Sequence, residues 1–483
     1  MKRFFTAMCS LLVAATLFAG EEDFYRLVTI PVPQNIKLEI SGVALLPDGR
    51  LAVAIRKGEI WILDNIHDAN PTNVTYSLFA SGLHEPLGLA FRDGALYTAQ
   101  RTEVTRLRDT DGDGRADEYL TAAKGWGVTG NYHEYAYGPI FDSENNLWVT
   151  LNCSIGNGVR TNDAWRGWSL KLKPDGKWEP VSGGFRSPSG IGLNAVGDIF
   201  VSEQQGNWFA AGALLHARSG AFHGHAASLK FCDLPRDTFK HPGTLPENLN
   251  VVQAAKEVPA LKLPAVWLPY RKMGMSATDV LCDTTEGKFG PFTNQIFVGE
   301  FTMSALNRVF LEKIKGEYQG ACFPFRSGFQ SAVLRLGWGR DGSLFVGQSN
   351  RGWNSVGTRS YGLQRLVWTG KISFEIKTME ARPDGFLLTF TKPVDRESAV
   401  AFTAYKMSSY TYPYHSTYGG AEIETHQLSI RKATVSADGL SVQLIIDGLR
   451  EGYVHELRIK DIRSVTGESL LHELAYYTLN QIP

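Results

Sequence analysis

The strongest constraint on the fold is a pattern that recurs along most of the chain: a glycine-bearing apolar segment, a tight turn and a second apolar segment. In six copies the second segment begins at Leu51, Leu96, Leu147, Ile199, Ile296 and Leu344. Successive copies lie roughly 45 to 52 residues apart, except for one gap of about twice that length, and such a period is typical of β-propellers. We therefore predict an all-β chain with a six-bladed β-propeller over residues 25–368.

The texture of the sequence changes at two places. Residues 216–268 fill the double gap, are rich in His, Pro, Gly and Lys, and show no clear turn-and-strand copy. We predict a long insertion there rather than a seventh blade. From Lys371 onward, strands alternate at roughly ten-residue spacing without the propeller period. This change predicts a second domain over residues 371–483, an immunoglobulin-like β-sandwich.

Residues 1–20 combine a basic start, an apolar stretch and a small-residue end, the pattern of a secretory signal peptide. We expect a periplasmic or secreted protein, with an uncleaved anchor as the alternative, and no membrane span elsewhere. Lys plus Arg and Asp plus Glu balance at 49 each, which gives no reason to expect nucleic acid as a partner. The cysteines after the signal peptide could pair or remain thiols, namely Cys153, Cys232, Cys282 and Cys322.

Polar residues collect at one predicted face of the propeller, just before each innermost strand and just after each second strand. We call this face the mouth. It carries His133 and Arg186 at equivalent starting positions of adjacent blades. A histidine can accept a proton from a substrate hydroxyl, and a neighbouring guanidinium can stabilise the negative charge that develops. We therefore predict His133 as a general base and Arg186 as its electrostatic partner.

The segment DTDGDGRADEY has the carboxylate spacing of a calcium-binding loop. Its predicted ligands are Asp109, Asp111, Asp113 and Asp117. Leu120 stands where an EF-hand has its bidentate Glu, so the loop is not a full EF-hand. It joins the third and fourth strands of the second blade, on the face opposite the mouth. We expect calcium to have a structural role there, with a solvated acidic turn as the alternative.

The insertion contains an H-x-H pair, His223 and His225. Such a pair can bind a transition metal, but no Cys or carboxylate stands nearby at ligand spacing. We favour a loop that packs over the mouth.

The stretch from Phe185 to Asn207, FRSPSGIGLNAVGDIFVSEQQGN, resembles the soluble quinoprotein glucose dehydrogenase and sorbosone dehydrogenase superfamily. Those proteins are six-bladed propellers that bind pyrroloquinoline quinone (PQQ). The resemblance implies that Arg186 contacts the reactive carbonyl of the quinone and that His133 is the catalytic base. It also implies a second calcium, bridging protein and cofactor, at a turn. The cofactor-binding residues that it implies are Gln204, Gln205, Gly206, Asn207, Lys272, Arg335 and Arg351.

The whole chain further resembles exported propeller proteins of planctomycete and verrucomicrobial type that are classed as membrane-bound dehydrogenases. The segments that carry this likeness include RDTDGDGRADEY, NYHEYAYGP and GHAASL. Many such proteins contain a cytochrome c or a blue-copper domain, and neither is encoded here. The resemblance therefore implies an external electron acceptor, such as a cytochrome or a cupredoxin.

Three functions remain open at the level of sequence. The leading hypothesis is a PQQ-dependent dehydrogenase that oxidises a hydroxyl or aldehyde of a sugar or polyol. The first alternative is a metal-dependent lactonase, in which Glu203, Glu300 and Asn152 are the available mouth ligands. The second is a non-catalytic propeller that binds a glycan or a protein.

Overall fold

The computed structural model describes residues 20–156, 163–232, 239–350 and 353–483. The fold is an all-β propeller built from four-stranded antiparallel sheets. A short helix, α1 (Glu21–Phe24), leads into strand β1 (Tyr25–Thr29), which joins the last blade. The first blade consists of β2 (Ile40–Leu45), β3 (Leu51–Ile55), β4 (Glu59–Asp64) and β5 (Thr75–Ala80). The second consists of β6 (Ala90–Arg92), β7 (Ala95–Ala99), β8 (Glu103–Arg108) and β9 (Glu118–Lys124). The third consists of β10 (Ala136–Phe141), β11 (Leu147–Leu151), β12 (Trp168–Leu172) and β13 (Trp178–Gly183).

The fourth blade contains the predicted insertion between its third and fourth strands. Its first three strands are β14 (Gly190–Leu193), β15 (Ile199–Glu203) and β16 (Gly212–His216). The insertion holds a 3-10 helix (Ala226–Phe231), strand β17 (Leu249–Asn250) and helix α2 (Val251–Glu257), and the blade ends with β18 (Val266–Leu268). The insertion packs against the third blade, where the Phe239 and Trp168 rings stack with centroids 5.2 Å apart. Among the described residues, it adds only the two-residue strand β17 and no further blade.

The next two sets of strands complete the ring. One is β19 (Ala277–Cys282), β20 (Ile296–Glu300), β21 (Ala305–Ile314) and β22 (Glu317–Arg326); the other is β23 (Val333–Trp338), β24 (Leu344–Ser349) and β25 (Tyr361–Trp368), which β1 completes. The innermost strands β2, β6, β10, β14, β19 and β23 contact one another in that order, and β23 contacts β2 again. Five blades are separate sheets, and β19 to β22 occupy the remaining place in the ring as part of a larger sheet.

Glycines at the innermost strands allow adjacent blades to approach closely. A Cβ atom at Gly190 would overlap the carbonyl oxygen of Thr278 in the next blade. Gly88 has a φ of +133°, and a Cβ atom there would overlap the carbonyl oxygen of Gly138. Close contact between backbones leaves no room for a side chain. This requirement explains why the repeating sequence pattern begins with glycine-bearing segments.

All but one of the C-terminal strands continue the sheet of β19 to β22; the exception, Pro413–Tyr414, pairs with β17 of the insertion. They are β26 (Ile376–Arg382), β27 (Gly385–Phe390), β28 (Tyr405–Thr411), β29 (Pro413–Tyr414), β30 (Ile423–Val435), β31 (Ser441–Asp447), β32 (Tyr453–Ile459) and β33 (Leu474–Leu479), with helix α3 (Arg396–Val400) and a 3-10 helix (Phe402–Ala404) between β27 and β28. Strand β33 pairs with β22, and an 11-stranded sheet runs from β19 to β26. The C-terminal region is thus joined to the propeller by a continuous sheet, and the immunoglobulin-like topology stays a prediction.

The hydrophobic core of the C-terminal region also includes Ala321 and Phe323 of β22. Leu388 and Leu444 from one half of the strands pack in the same cluster as Leu457 and Tyr477 from the other half. The long strand β30 pairs with β28 near its start and with β31 further along, so it links the two halves. Strands from both halves therefore contribute side chains to one core.

The cysteines and the helices of the described residues bear on two further expectations. Cys153, Cys282 and Cys322 are buried thiols, and Cys232 is buried as well. None of the helices within the described ranges is long and apolar enough to cross a membrane.

Candidate functional site

A cavity of about 1020 Å³ opens at the mouth of the propeller. Loops before the innermost strands contribute His133 and Arg186, and the loop after β15 contributes Gln204, Gln205 and Asn207. The insertion and the C-terminal region also reach this cavity, since His225 and Tyr418 line it. Ligand pockets in proteins typically measure roughly 300 to 1,000 Å³. The cavity therefore has room for a cofactor-sized molecule.

His133 is held at the cavity wall by its own loop. Its backbone N–H donates to Asn131 Oδ1 at 3.0 Å, and the guanidinium of Arg101 donates to the carbonyl oxygens of Asn131 and Tyr132 at 3.1 and 3.0 Å. Partial burial lowers the pKa of His133 below its usual range, and the positive charges of Arg186 and Arg101 lower it further. A neutral imidazole is the form that can accept a proton.

The turn that carries Arg186 is fixed by a buried carboxylate. Glu203 accepts the backbone N–H groups of Arg186 and Ser187 at 2.8 and 2.7 Å, and also that of Gln204 at 2.9 Å. Burial raises the pKa of Glu203 to about 7, although these N–H groups and the charge of Arg186 oppose the rise. Glu203 therefore positions the Arg186 backbone from behind the cavity wall.

The same arrangement recurs in the next blade. Glu300 ends β20 as Glu203 ends β15, and it accepts the backbone N–H groups of Met275 and Ser276 at 2.7 and 2.6 Å. Both carboxylates are thus committed to the loop that precedes their innermost strand. The lactonase alternative required these two groups as metal ligands in the mouth, and the structure directs them to the backbone instead.

The guanidinium of Arg186 lies between the propeller and the C-terminal region. Its Nε is 3.4 Å from Asn207 Oδ1, its Nη1 is 3.4 Å from Ser187 Oγ, and its centre lies 5.1 Å from the ring centroid of Tyr418. The guanidinium also packs against the backbone of Gly206, where a Cβ atom would overlap it. Within the described ranges, no carboxylate forms an ion pair with Arg186. Its positive charge is therefore available to an anionic ligand.

The turn after β15 is bound by a C-terminal segment. The carbonyl oxygen of Gly206 accepts the N–H groups of Phe209 at 3.2 Å and Gly419 at 2.9 Å. Asn207 Nδ2 donates to the carbonyl oxygen of Ser416 at 2.8 Å, and Asn207 pairs with Tyr418 in an antiparallel bridge. The side chains of Gln204 and Gln205 donate to Ser189 Oγ at 2.7 Å and to the Ala210 carbonyl oxygen at 2.9 Å; both residues line the cavity.

The other basic residues implied as cofactor partners lie elsewhere. Lys272 pairs with Glu422 and Glu456 of the C-terminal region, at 2.8 and 2.6 Å, and does not line the cavity. Arg335 is buried near the propeller axis, where it donates to the carbonyl oxygens of Ser41 and Ser189 and lines a cavity of about 890 Å³ on the other side. Arg351 lies outside the described residues. Of these three, the structure brings neither Lys272 nor Arg335 to the mouth.

A thiol and an imidazole meet at the wall near the insertion. Cys153 Sγ lies 3.8 Å from His225 Nδ1, and both residues line the cavity. Burial raises the pKa of Cys153 to about 12 and lowers that of His225 to about 3, so both groups are neutral. His223, the other member of the H-x-H pair, is buried against Phe185 with ring centroids 4.7 Å apart. The pair therefore belongs to the packing of the wall.

The acidic loop connects β8 to β9, at the end of the blade opposite the loop of Arg101. Carboxylate oxygens of Asp109, Asp111 and Asp117 lie within 4.8 Å of one another, the one such cluster of possible metal ligands found in the described ranges. The carboxylate of Asp113 is not part of this cluster and accepts the N–H of Arg115 at 2.8 Å. Three of the four predicted ligands thus converge.

Sequence reasoning missed the aromatic residues at the rim of the mouth. Tyr132, Trp353 and Tyr418 line the cavity with 45%, 65% and 64% of their surface exposed. Tyr418 lies in the C-terminal region, and no repeat or motif in the sequence connects that region with the mouth. Tyr132 stands beside the predicted base, and its position was the one usable signal.

Comparisons with known proteins agree with this architecture. Residues 55–242 match a family described as "Domain of unknown function (DUF7133)". No curated protein matches the chain. A proposed oxidoreductase (glucose dehydrogenase) from Thermus thermophilus is 20% identical with a TM-score of 0.51, and the alignment covers 71% of this chain and 100% of that one. At this identity the likeness shows the propeller fold and leaves the chemistry to the site.

Two sugar dehydrogenases are also among the similar structures. The PQQ-bound aldose sugar dehydrogenase of Streptomyces coelicolor is 15% identical with a TM-score of 0.49, over 71% of this chain and 98% of that one. The soluble aldose sugar dehydrogenase of Escherichia coli, in its apo form, is 14% identical with a TM-score of 0.48, over 71% and 99%.

Proposed function

We propose that this protein is a PQQ-dependent dehydrogenase that oxidises a hydroxyl or aldehyde group of a sugar or polyol in the mouth cavity. The observation that carries the proposal is that one cavity is lined by a neutral imidazole, His133, and by the guanidinium of Arg186, which has no ion-pair partner in the described ranges. The similarity of the fold to a glucose dehydrogenase supports it.

The residues of the cavity suit a planar, anionic quinone. Trp208, Tyr270 and Tyr418 line it and offer flat aromatic surfaces, and Arg186 offers a positive charge for a carboxylate or a carbonyl oxygen. The bridging calcium implied by the resemblance fits the turn after β15 less well than the quinone fits the cavity. The Gly206 carbonyl oxygen already accepts two N–H groups, so both of its lone pairs are used. We therefore propose the quinone without a calcium ligated by Gly206.

In such a reaction, His133, Arg186 and Glu203 would each have a separate role. A bound quinone would supply the group that accepts hydride. His133 takes the proton of the substrate hydroxyl, since its lowered pKa keeps it neutral near pH 7. Arg186 stabilises negative charge that develops during the transfer, and the Glu203 carboxylate keeps the Arg186 turn in place.

The proposal extends to location and partners. The signal-peptide pattern of residues 1–20 supports export, and residues 1–19 lie outside the described part of the chain. An exported dehydrogenase of this kind would pass its electrons to a separate acceptor such as a cytochrome or a cupredoxin. We also retain the six-bladed count and the immunoglobulin-like assignment of residues 371–483 as parts of the proposal.

The test is calorimetric titration of the full chain with PQQ, followed by a dye-linked screen of sugars and polyols. Arg186→Ala should weaken quinone binding by about tenfold or more, the cost of losing a charge-assisted contact. Arg340, which is exposed on the opposite face, provides the matched control Arg340→Ala. Absence of binding to the wild-type protein would reject the quinone and leave the glycan-binding alternative.

A further inference from the structure

The C-terminal segment His415–Gly420 contacts the propeller mostly through backbone groups. Gly419 N–H donates to the Gly206 carbonyl oxygen at 2.9 Å, and Gly420 N–H donates to that of Ala210 at 3.1 Å. In the other direction, Trp208 N–H donates to the His415 carbonyl oxygen at 3.1 Å. Hydrogen bonds from both sides fix the register of the segment against the turn after β15. The segment is thus built into the wall of the mouth cavity.

Side chains on either side of the segment hold it in place. Tyr414 packs against Trp208 with ring centroids 4.9 Å apart and donates its hydroxyl to the Gly224 carbonyl oxygen at 2.7 Å. Ser416 Oγ donates to the Glu247 carboxylate at 2.9 Å. Gly419 has a φ of +63°, and a Cβ atom there would press on the side chain of Gln205. The left-handed backbone and the close contact both favour glycine at this position.

The consequence lies at Arg186. The ring of Tyr418 covers the Arg186 guanidinium, with the ring centroid 5.1 Å from its central carbon, and the backbone of Gly206 packs closely against the same group. A guanidinium stacked on an aromatic ring is attracted by the ring's negative face and can still donate hydrogen bonds in its own plane. In that plane, Nε and Nη1 of Arg186 lie 3.4 Å from Asn207 Oδ1 and Ser187 Oγ. The ring of Tyr418 is still 64% exposed, so it can also touch whatever Arg186 binds.

We infer that the segment His415–Gly420 takes the place of a bridging metal ion in this site, with Tyr418 as the residue that positions Arg186. The identity of the ligand rests on the proposed function, but the contacts among the segment, Gly206 and Arg186 do not depend on any ligand. It makes ligand binding independent of calcium. It also makes the C-terminal region part of the site rather than a spacer.

The first test follows the reactivity of Arg186 without any ligand. The full-length protein is treated with phenylglyoxal, and modification of Arg186 is followed by peptide mass spectrometry. Tyr418→Ala should raise the modification rate by about fivefold or more, because the covering ring is lost, whereas Tyr418→Phe keeps the ring and should restore the slow rate. Tyr119→Ala, on the acidic-loop side, is the control. Equal rates in wild type and Tyr418→Ala would overturn the positioning role.

The second test measures calcium in the apo protein. In the Asp111→Asn, Asp117→Asn double variant, the acidic loop loses two of its three clustered carboxylates. Calorimetric titration of this variant with CaCl₂ should show no remaining site. A remaining stoichiometric site that Asn207→Ala removes would show that the turn still binds calcium, and the inference would be wrong.

The third test uses PQQ with the same double variant, in excess EGTA and in excess CaCl₂. The two dissociation constants should agree within about twofold, since no ligated ion contributes to the difference. A tightening of about tenfold by calcium would overturn the inference. If PQQ binds under neither condition, the proposed function fails, while the phenylglyoxal and calcium results still decide the inference.

Discussion

The carboxylate of Glu203 accepts the backbone N–H of Arg186 at 2.8 Å and lies fully buried behind it. An acidic group in such a place is costly to ionise, and burial raises its pKa from 4.5 to about 7. The hydrogen bonds to Arg186 and Ser187 limit the rise without cancelling it. The geometry of the candidate site therefore depends on a group that titrates near neutral pH.

Replacement of Glu203 should change how stability depends on pH. The folded-state pKa lies above the unfolded value, so the contribution of this group is present below pH 4.5 and is lost as the pH rises to about 7. The loss amounts to about 3 kcal/mol. Glu203→Gln should remove this part of the pH dependence in urea unfolding, whereas Glu286→Gln, at an exposed site, should not. An unchanged slope in Glu203→Gln would contradict the assignment.

Replacement of His133 should separate chemistry from binding. His133→Ala should lower the rate of sugar oxidation by roughly 10² to 10⁴, the usual contribution of a general base, and leave the affinity for PQQ within about threefold of wild type. The rate of the wild-type enzyme should fall as the pH drops through the lowered pKa of His133. His426→Ala, on an exposed part of β30, is the control. Full turnover in His133→Ala would exclude it as the base.

The propeller could be predicted from the sequence because its constraint is local and repeated. Each copy of the pattern contains its own turn and its own glycine, and the ring of innermost strands follows from the number of copies. The same logic placed His133 and Arg186 before adjacent innermost strands, and the structure brings both to one cavity. A repeat therefore predicts which residues share a face even when it says little about their partners.

The rest of the site depends on contacts between distant segments. Tyr418 reaches Arg186 from a region more than 200 residues later, and the segment that carries it is held mostly by backbone hydrogen bonds, which leave little trace in the sequence. Lys272 was an expected cofactor partner, yet Glu422 and Glu456 of the same C-terminal region neutralise it. Neither contact leaves a local pattern in the sequence. Long-range pairing of this kind becomes visible only in the folded chain.

Calcium should stabilise the protein through the acidic loop. Asp109, Asp111 and Asp117 bring their carboxylates together, and a bound cation would relieve their mutual repulsion. The melting temperature of the wild type should rise by a few degrees, about 2–4 °C, when EGTA is replaced by millimolar CaCl₂. The Asp111→Asn, Asp117→Asn variant should show no such rise. An equal rise in both proteins would place calcium elsewhere, and oxidation rates should not change in either case.

A largely enclosed histidine of the C-terminal region, His472, contacts two carboxylates. His472 Nε2 lies 3.0 Å from Glu21, and its Nδ1 lies 3.0 Å from Glu375. Burial disfavours the charged imidazole, but the two carboxylates outweigh it and raise the pKa of His472 to about 9. Glu21 also pairs with Arg326 at 3.0 Å, so the cluster links α1 to β22 and to the C-terminal region.

The His472 cluster should make the protein less stable in alkali. Because the folded-state pKa is raised, the contribution is fully present below pH 6.5 and is lost as the pH rises through about 9. It amounts to at most about 3 kcal/mol. His472→Gln should be destabilised by this order at pH 6 and should approach the wild type by pH 10, as measured by urea unfolding, with His426→Gln as the control. A constant difference in unfolding free energy between His472→Gln and wild type across this range would mean that His472 acts through packing rather than through its charge. The link between Glu21 and the C-terminal region would then not depend on protonation.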